Sequence, residues 1–151
     1  MSKVIEMLKE RIEDNYADFK ALMLSLDAET IFDSARRIAA TTDVVFYLNN
    51  FNMVDDEAAA YLLDFTEPLK LLADAWEEML EDGECDFSEA IEMVLDSDSN
   101  EENYMTLAME GKLRHKYGED ADITSALVAE IVEAGSRYLE LQELLLRMEG
   151  M

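Results

Sequence analysis

Apolar residues at Ile5, Leu8, Ile12, Tyr16, Phe19 and Met23 recur at steps of three and four, which places them on one stripe of an amphipathic helix ending near Ser25. Asp27 is positioned to cap a second helix carrying Ile31, Phe32, Ala35, Ile38 and Ala39. Arg36 and Arg37 fall in the C-terminal half of that predicted helix, where cations favour the helix dipole, so they are expected to serve the fold. A third, short apolar segment (Val44, Val45, Tyr47, Leu48) leads to Asn49, Asn50 and Asn52, where the asparagines predict a turn. A strand over 44–47 is the alternative.

Asp55, Asp56 and Glu57 suit the first turn of a helix over 58–65, because acids there complement its positive end. Thr66 as N-cap, with Pro68 in the first turn, predicts a helix bearing Leu69, Leu72, Trp76, Met79 and Leu80, and Gly83 is placed to end it. Asp86 and Glu89 have capping-box spacing ahead of Ile91, Val94 and Leu95. Ser99 and Glu102 repeat that spacing before Met105, Ala108 and Leu113, with Gly118 closing the helix. The run Asp96-Ser97-Asp98-Ser99-Asn100 is the best linker candidate, dividing 1–97 from 98–151.

The last segment is the most regular. Leu127, Ile131, Ala134, Tyr138, Leu141, Leu145 and Met148 alternate steps of four and three, a heptad seam over about three heptads, and Val128, Val132, Leu139 and Leu146 add a flanking stripe. This pattern predicts a long C-terminal helix with two readings. It is the central helix of its own core, or it self-associates through Leu127, Ile131, Tyr138, Leu141 and Leu145 to give a homodimer. Five glycines and one proline in 151 residues also favour helices. The expected fold is all-α, a compact bundle of six to eight helices, able to bury roughly two-thirds of the surface its unfolded chain exposes.

Composition narrows the compartment. The single Cys85 cannot form an intramolecular disulfide, and the N-terminus lacks the continuous apolar core of a signal peptide, so a reduced cytoplasmic setting is expected. No apolar run approaches the roughly 18 residues of a membrane span, and so anionic a surface is repelled by anionic lipid.

Charge changes the picture most. The net charge is −24, yet 50% of residues are hydrophobic, a combination that suits a folded anionic surface rather than a disordered acidic tail. Between Ile38 and Gly111 there are twenty carboxylates against one cation, Lys70. Inside this stretch Asp74, Glu77, Glu78, Glu81, Asp82, Glu84, Asp86, Glu89, Glu92, Asp96, Asp98, Glu101 and Glu102 form the candidate partner-binding set, in a window from Leu71 to Gly111 without Lys or Arg. Carboxylates four residues apart on a helix are separated by about 6 Å, whereas each DNA strand carries a phosphate about every 3.4 Å. One helix is therefore too dilute, but two or three adjacent helices approach the charge density of a duplex. The expected partner is a basic protein with a nucleic-acid groove, and not nucleic acid itself. The bland alternative is that the acids only confer solubility.

Catalytic signals are weaker. Glu77, Glu78 and Glu81 have E-E-x-x-E spacing and Glu89 with Glu92 supplies E-x-x-E, the hard-oxygen pattern of all-α Mg²⁺-dependent nucleotide pyrophosphohydrolases. The second motif of that family is E-x-x-D after a longer gap, and here Glu92 to Asp96 is one residue too long. Asp96, Asp98 and Asn100 open like a calcium loop, but Glu101 stands where the loop needs Gly and Leu107 where it needs Glu. His115 lies in the basic cluster 112–116 near a predicted helix end, where the dipole favours it, and Cys85 has no neighbour to activate it. No enzyme activity, cofactor or metal is expected.

The segment from Ile12 to about Leu95 resembles a small uncharacterised domain family carried by phages and conjugative elements of gut bacteria. The similarity rests on Tyr16-Ala17-Asp18-Phe19, on 27–31 followed by Ala35, on 42–48, on Val54-Asp55-Asp56-Glu57-Ala58 through Leu63, and on Pro68-Leu69 with Trp76. It transfers no activity and no binding residues. It implies a context in which small acidic proteins inhibit host defence, such as CRISPR or restriction nucleases, in some cases as DNA mimics. The expected function is thus a non-enzymatic inhibitor of that kind, with a structural or adaptor protein as the alternative and a hydrolase third.

Overall fold

The computed structural model describes residues 2–83, 86–97 and 100–134, which form helices joined by short turns, with no strand among the described residues. The helices are α1 (Lys3–Ser25), α2 (Ala28–Asp33), α3 (Ala35–Asn50), α4 (Asp56–Leu63), α5 (Pro68–Glu81), α6 (Phe87–Leu95), the single turn α7 (Asn100–Asn103), α8 (Leu107–Tyr117) and α9 (Ile123–Ala134). By its contacts the chain divides into two units: Met1–Leu63 with Glu67–Ser97, and Asp64–Thr66 with Asp98–Met151. No helix among the described residues is long and apolar enough to cross a membrane.

In unit 1, the expected helix starts carry real caps. Ser2 accepts the Ile5 N–H at 3.2 Å, Asp27 accepts the Thr30 N–H at 2.8 Å, and Asp55 accepts the Ala58 N–H at 2.8 Å. The middle segments differ from expectation. The backbone leaves helical geometry at Ser34 alone (φ −94°, ψ 9°), and α3 then runs unbroken through the predicted boundary to Asn50. Thr41 and Thr42 do not interrupt it, because their hydroxyls donate back to the carbonyls of Arg37 and Ile38 at 2.8 and 2.7 Å. Residues 44–47 are helix rather than strand: Ala40, Val44 and Leu48 are buried while Thr42 and Phe46 between them are exposed, whereas a strand would put all five on one face. The break at Ser34 puts Arg36 and Arg37 in the first turn of α3, the end where the dipole disfavours cations.

Helix α5 is the centre of unit 1, packed against α1, α3 and α6. Leu71, Ala73 and Ala75 are buried beside the expected Leu69, Leu72, Trp76 and Met79, so burial extends nearly all round the helix, while Leu80 is exposed. Its N-cap is Glu67, not Thr66, and Pro68 takes the first helical position, where a missing N–H costs nothing. Gly83, at φ +80°, follows the C-terminus in the left-handed region that favours glycine. Tyr47 of α3 and Phe87 of α6 stack at 4.8 Å, and Trp76 sets its ring edgewise to both at 5.9 and 5.5 Å. The indole Nε1–H donates to Asp43 at 3.1 Å, so the polar tip of this buried ring is satisfied.

In unit 2, Thr66 is drawn into an isolated antiparallel bridge between Phe65 and Thr106. Its N–H donates to the Met105 carbonyl at 3.1 Å, and the Leu107 N–H donates to the Asp64 carbonyl at 3.0 Å. This bridge extends the backbone around Thr106 and splits the helix expected to run from Ser99. Thr106 is therefore the cap of α8, accepting the Met109 N–H at 3.2 Å, and Gly118 (φ +107°) ends α8 as expected. Met109 and Leu113 of α8 and Ala126 of α9 form a small core, with Met105, Ile123 and Leu127 packed on it. The predicted continuation of α9 beyond Ala134, with Tyr138, Leu141 and Leu145, lies outside the described residues.

Candidate functional site: the anionic surface of α5 and α6

The sequence presents thirteen acids as one set, and the structure sorts them. Asp74, Glu77, Glu78, Glu81 and Asp82 lie along or at the end of α5, Asp86 caps α6, Glu89 and Glu92 are on α6, and Asp96 follows its last turn. Glu101 is exposed on α7 in unit 2, where Glu102 also lies, and Glu84 and Asp98 fall outside the described residues.

Three acids of α5 are already paired. Arg37 reaches Asp74 through Nη2 and Glu77 through Nη1 at 3.2 Å, and Arg36 meets Glu81 at 3.1 Å. The Arg37 fork is about three-quarters buried, so its two charge-assisted bonds are shielded from water, while the Arg36 pair is solvent-exposed and contributes little to stability. This is what holds two arginines at the unfavourable end of α3. The expectation that they serve the fold is met by tertiary ion pairs rather than by the helix dipole.

Asp86 has a structural duty. The Ser88 hydroxyl and then the Ser88 N–H donate to its carboxylate, at 2.6 and 3.0 Å, and these bonds hold its pKa below the ordinary value for Asp. Asp27 is lowered in the same way by Thr30, first through its side chain and then through its N–H. A carboxyl with a depressed folded pKa stabilises the fold above its unfolded value of 3.8, and that contribution is lost as pH falls through the folded pKa. Replacing Asp86 with Asn, which caps without titrating, is expected to flatten the part of the acid limb that Asp86 contributes in far-UV circular dichroism. Asp86→Ala should fray the start of α6 even at neutral pH. An unchanged acid limb in Asp86→Asn would assign the cap no share of the pH dependence.

Glu78, Asp82, Glu92 and Asp96 remain exposed and, among the described residues, enter no ion pair. Helices α5 and α6 pack directly on each other, so these four belong to one helix pair. From Leu71 to Asp96 the chain carries ten carboxylates and no cation, and the two arginines of α3 offset at most two of them. A folded surface with this excess attracts cations and basic side chains over about a Debye length.

For metal chemistry the geometry is less favourable. Glu77 and Glu81, two of the three acids of the E-E-x-x-E run, are turned to Arg37 and Arg36. Among the described residues no three His, Cys, Asp or Glu side chains converge in a way that would hold a metal ion. His115 is exposed in the last turn of α8. Of the proposed self-association seam, Leu127 packs on the core of unit 2, Ile131 lies on α9, and the rest is outside the described residues. Comparison with known protein families, curated proteins and solved structures gives no match.

Proposed function

We propose that this protein is a non-enzymatic acidic binding protein that uses the surface of α5 and α6 to occupy the basic groove of a nucleic-acid-binding protein. The reading is carried by one observation: Glu78, Asp82, Glu92 and Asp96 stay exposed and, among the described residues, form no ion pair, along or at the ends of two adjoining helices in a chain segment that has no cation of its own. Solubility alone is served by interspersed charges with a modest net charge, so it does not require Lys and Arg to be absent over forty residues. The resemblance of 12–95 to a family of mobile-element proteins supports host-defence nucleases, of the CRISPR or restriction type, as the target class. A structural or adaptor role is the second reading, favoured by Val128 and Val132, which stand exposed on α9.

The experiment is inhibition of DNA cleavage by a panel of purified CRISPR and restriction nucleases. Inhibition of at least one member is expected, relieved by excess DNA and falling by orders of magnitude between about 50 and 200 mM salt. Replacing Glu78, Asp82, Glu92 and Asp96 with Lys should abolish it while far-UV helicity is kept. The same number of reversals at the exposed Glu6, Glu10, Glu13 and Asp14 of α1 should do much less. Arg36→Gln, which frees Glu81 at little cost in stability, should strengthen inhibition. Equal effects from the two sets of reversals would remove α5 and α6 as the binding surface.

A further inference from the structure

The aromatic core of unit 1 continues to its surface. Besides the buried Trp76 and Phe87, Tyr47 touches Phe46 and Phe51, whose ring centroids lie 5.8 and 6.0 Å away, and these two rings meet each other edgewise at 6.2 Å. Phe46 is 55% exposed and Phe51 53%. Singly exposed apolar side chains are ordinary, but these two adjoin and leave aromatic surface open to water. Their surroundings are anionic. Asp43 lies one turn before Phe46 and Tyr47 in α3, accepts the Trp76 indole N–H and, among the described residues, forms no ion pair. The exposed Asp86 directly precedes Phe87, the ring that stacks on Tyr47. Between Arg37 and Lys70 the chain has no Lys or Arg. Among the described residues no cation stacks on Phe46 or Phe51, although Lys9 of α1 lines the same cavity as Phe51.

We propose that Phe46 and Phe51 take arginine side chains of the basic partner, as the aromatic part of the surface whose acids lie on α5 and α6; the inference rests on that reading of the acids. The face of a benzene ring carries negative potential and attracts a cation. A guanidinium is planar and weakly hydrated, so it stacks on the ring while its N–H fork stays free for a carboxylate, and Asp43 and Asp86 stand beside the ring cluster. The ammonium of lysine is a compact, strongly hydrated charge and gains less from the same ring. An uncharged apolar partner would desolvate those carboxylates without supplying a counter-charge. Nucleic acid has bases that stack on aromatic rings, but its phosphates are repelled by a chain of charge −24. The arrangement also matches what a nucleic-acid groove is built to hold, with carboxylates in place of phosphates and rings in place of bases.

The test is calorimetric titration of the full chain at low salt with a nonamer of arginine and with the matching nonamer of lysine. Both peptides are expected to bind, the arginine peptide more tightly. Phe46→Leu with Phe51→Leu keeps apolar side chains and removes the π faces, so it should weaken the arginine peptide about fivefold or more and the lysine peptide much less, with helicity unchanged. Phe46→Trp with Phe51→Trp should raise the preference for arginine, a gain that misfolding does not produce. Lys at Glu78, Asp82, Glu92 and Asp96 should weaken both peptides alike. If the ratio of the two affinities is the same in wild type, the Leu variant and the Trp variant, the proposal is overturned while the acidic surface stands. If the four reversals leave both affinities unchanged but the Leu variant still loses the arginine preference, the rings are upheld and the reading of α5 and α6 fails. A single-stranded oligonucleotide bound through the same two rings would assign them to bases and overturn the proposal, as would a wild type that binds neither peptide.

Discussion

Trp76→Ala is expected to cost unit 1 about 3–5 kcal/mol, the range measured when a large aromatic is removed from a packed core. A domain of this size has only about 5–15 kcal/mol of stability, so the variant should be partly unfolded where the wild type is intact. The magnitude follows from position. Trp76 is fully buried in the middle of α5, and its ring meets the edges or faces of Tyr47 and Phe87, so its removal opens a void bordered by three helices. The two aromatic contacts each add about 0.5–1.5 kcal/mol beyond the buried area. Trp76→Phe separates these contributions, since it keeps most of the packing and loses the bond to Asp43, and it should cost about 1–2 kcal/mol. Urea melts followed by circular dichroism measure both variants. A Trp76→Ala midpoint equal to wild type would mean that α5 is not the element on which unit 1 depends.

Lys116→Met is expected to destabilise unit 2 by about 2–4 kcal/mol. Glu130 is 2% exposed, and its carboxylate accepts from Lys116 Nζ and from the Tyr117 hydroxyl, each at 2.8 Å. Breaking a wholly buried pair from one side costs about 3–5 kcal/mol, because a charge is left buried without its partner. The figure here is lower since the Lys116 side chain is 29% exposed and water can partly replace it. Removing both partners, as Lys116→Met with Glu130→Met, should recover most of the loss, because the net contribution of such a pair is small once desolvation is counted. Hydrogen exchange of the α8 and α9 amides during the urea titration reads unit 2 apart from unit 1. If the double variant were as unstable as the single one, packing at Glu130, and not charge, would be the source of the effect.

For the candidate site, the acidic excess was legible in the sequence and the availability of its members was not. Asp74, Glu77 and Glu81 look no different from Glu78, Asp82 and Glu92 along the chain, since all sit in one cation-free run. What separates them is Arg36 and Arg37, at separations of 37 to 45 residues. Local reading assigned those arginines to a dipole interaction within their own helix, and the one-residue break at Ser34 placed them at its other end. Asp86 was recognisable as a cap, because capping is a relation between residues two or three apart.

The sequence by itself determined the helical class, the caps at Asp27 and Asp86, the stops at Gly83 and Gly118, and the buried stripe of α1 at Leu8 and Ile12. These depend on side chains within one or two helical turns of each other, where spacing is geometry. Tertiary structure alone decided the rest. It buried Leu71, Ala73 and Ala75, because α5 is enclosed by neighbours on several sides and not on one. It moved the start of α8 to Thr106, because a bridge to Phe65, 41 residues earlier in the chain, satisfies backbone groups that a continuous helix would have used itself. It also left Phe32 in water although the pattern groups it with the apolar residues of its predicted helix, since a periodic pattern states which face a helix will bury and not what covers it.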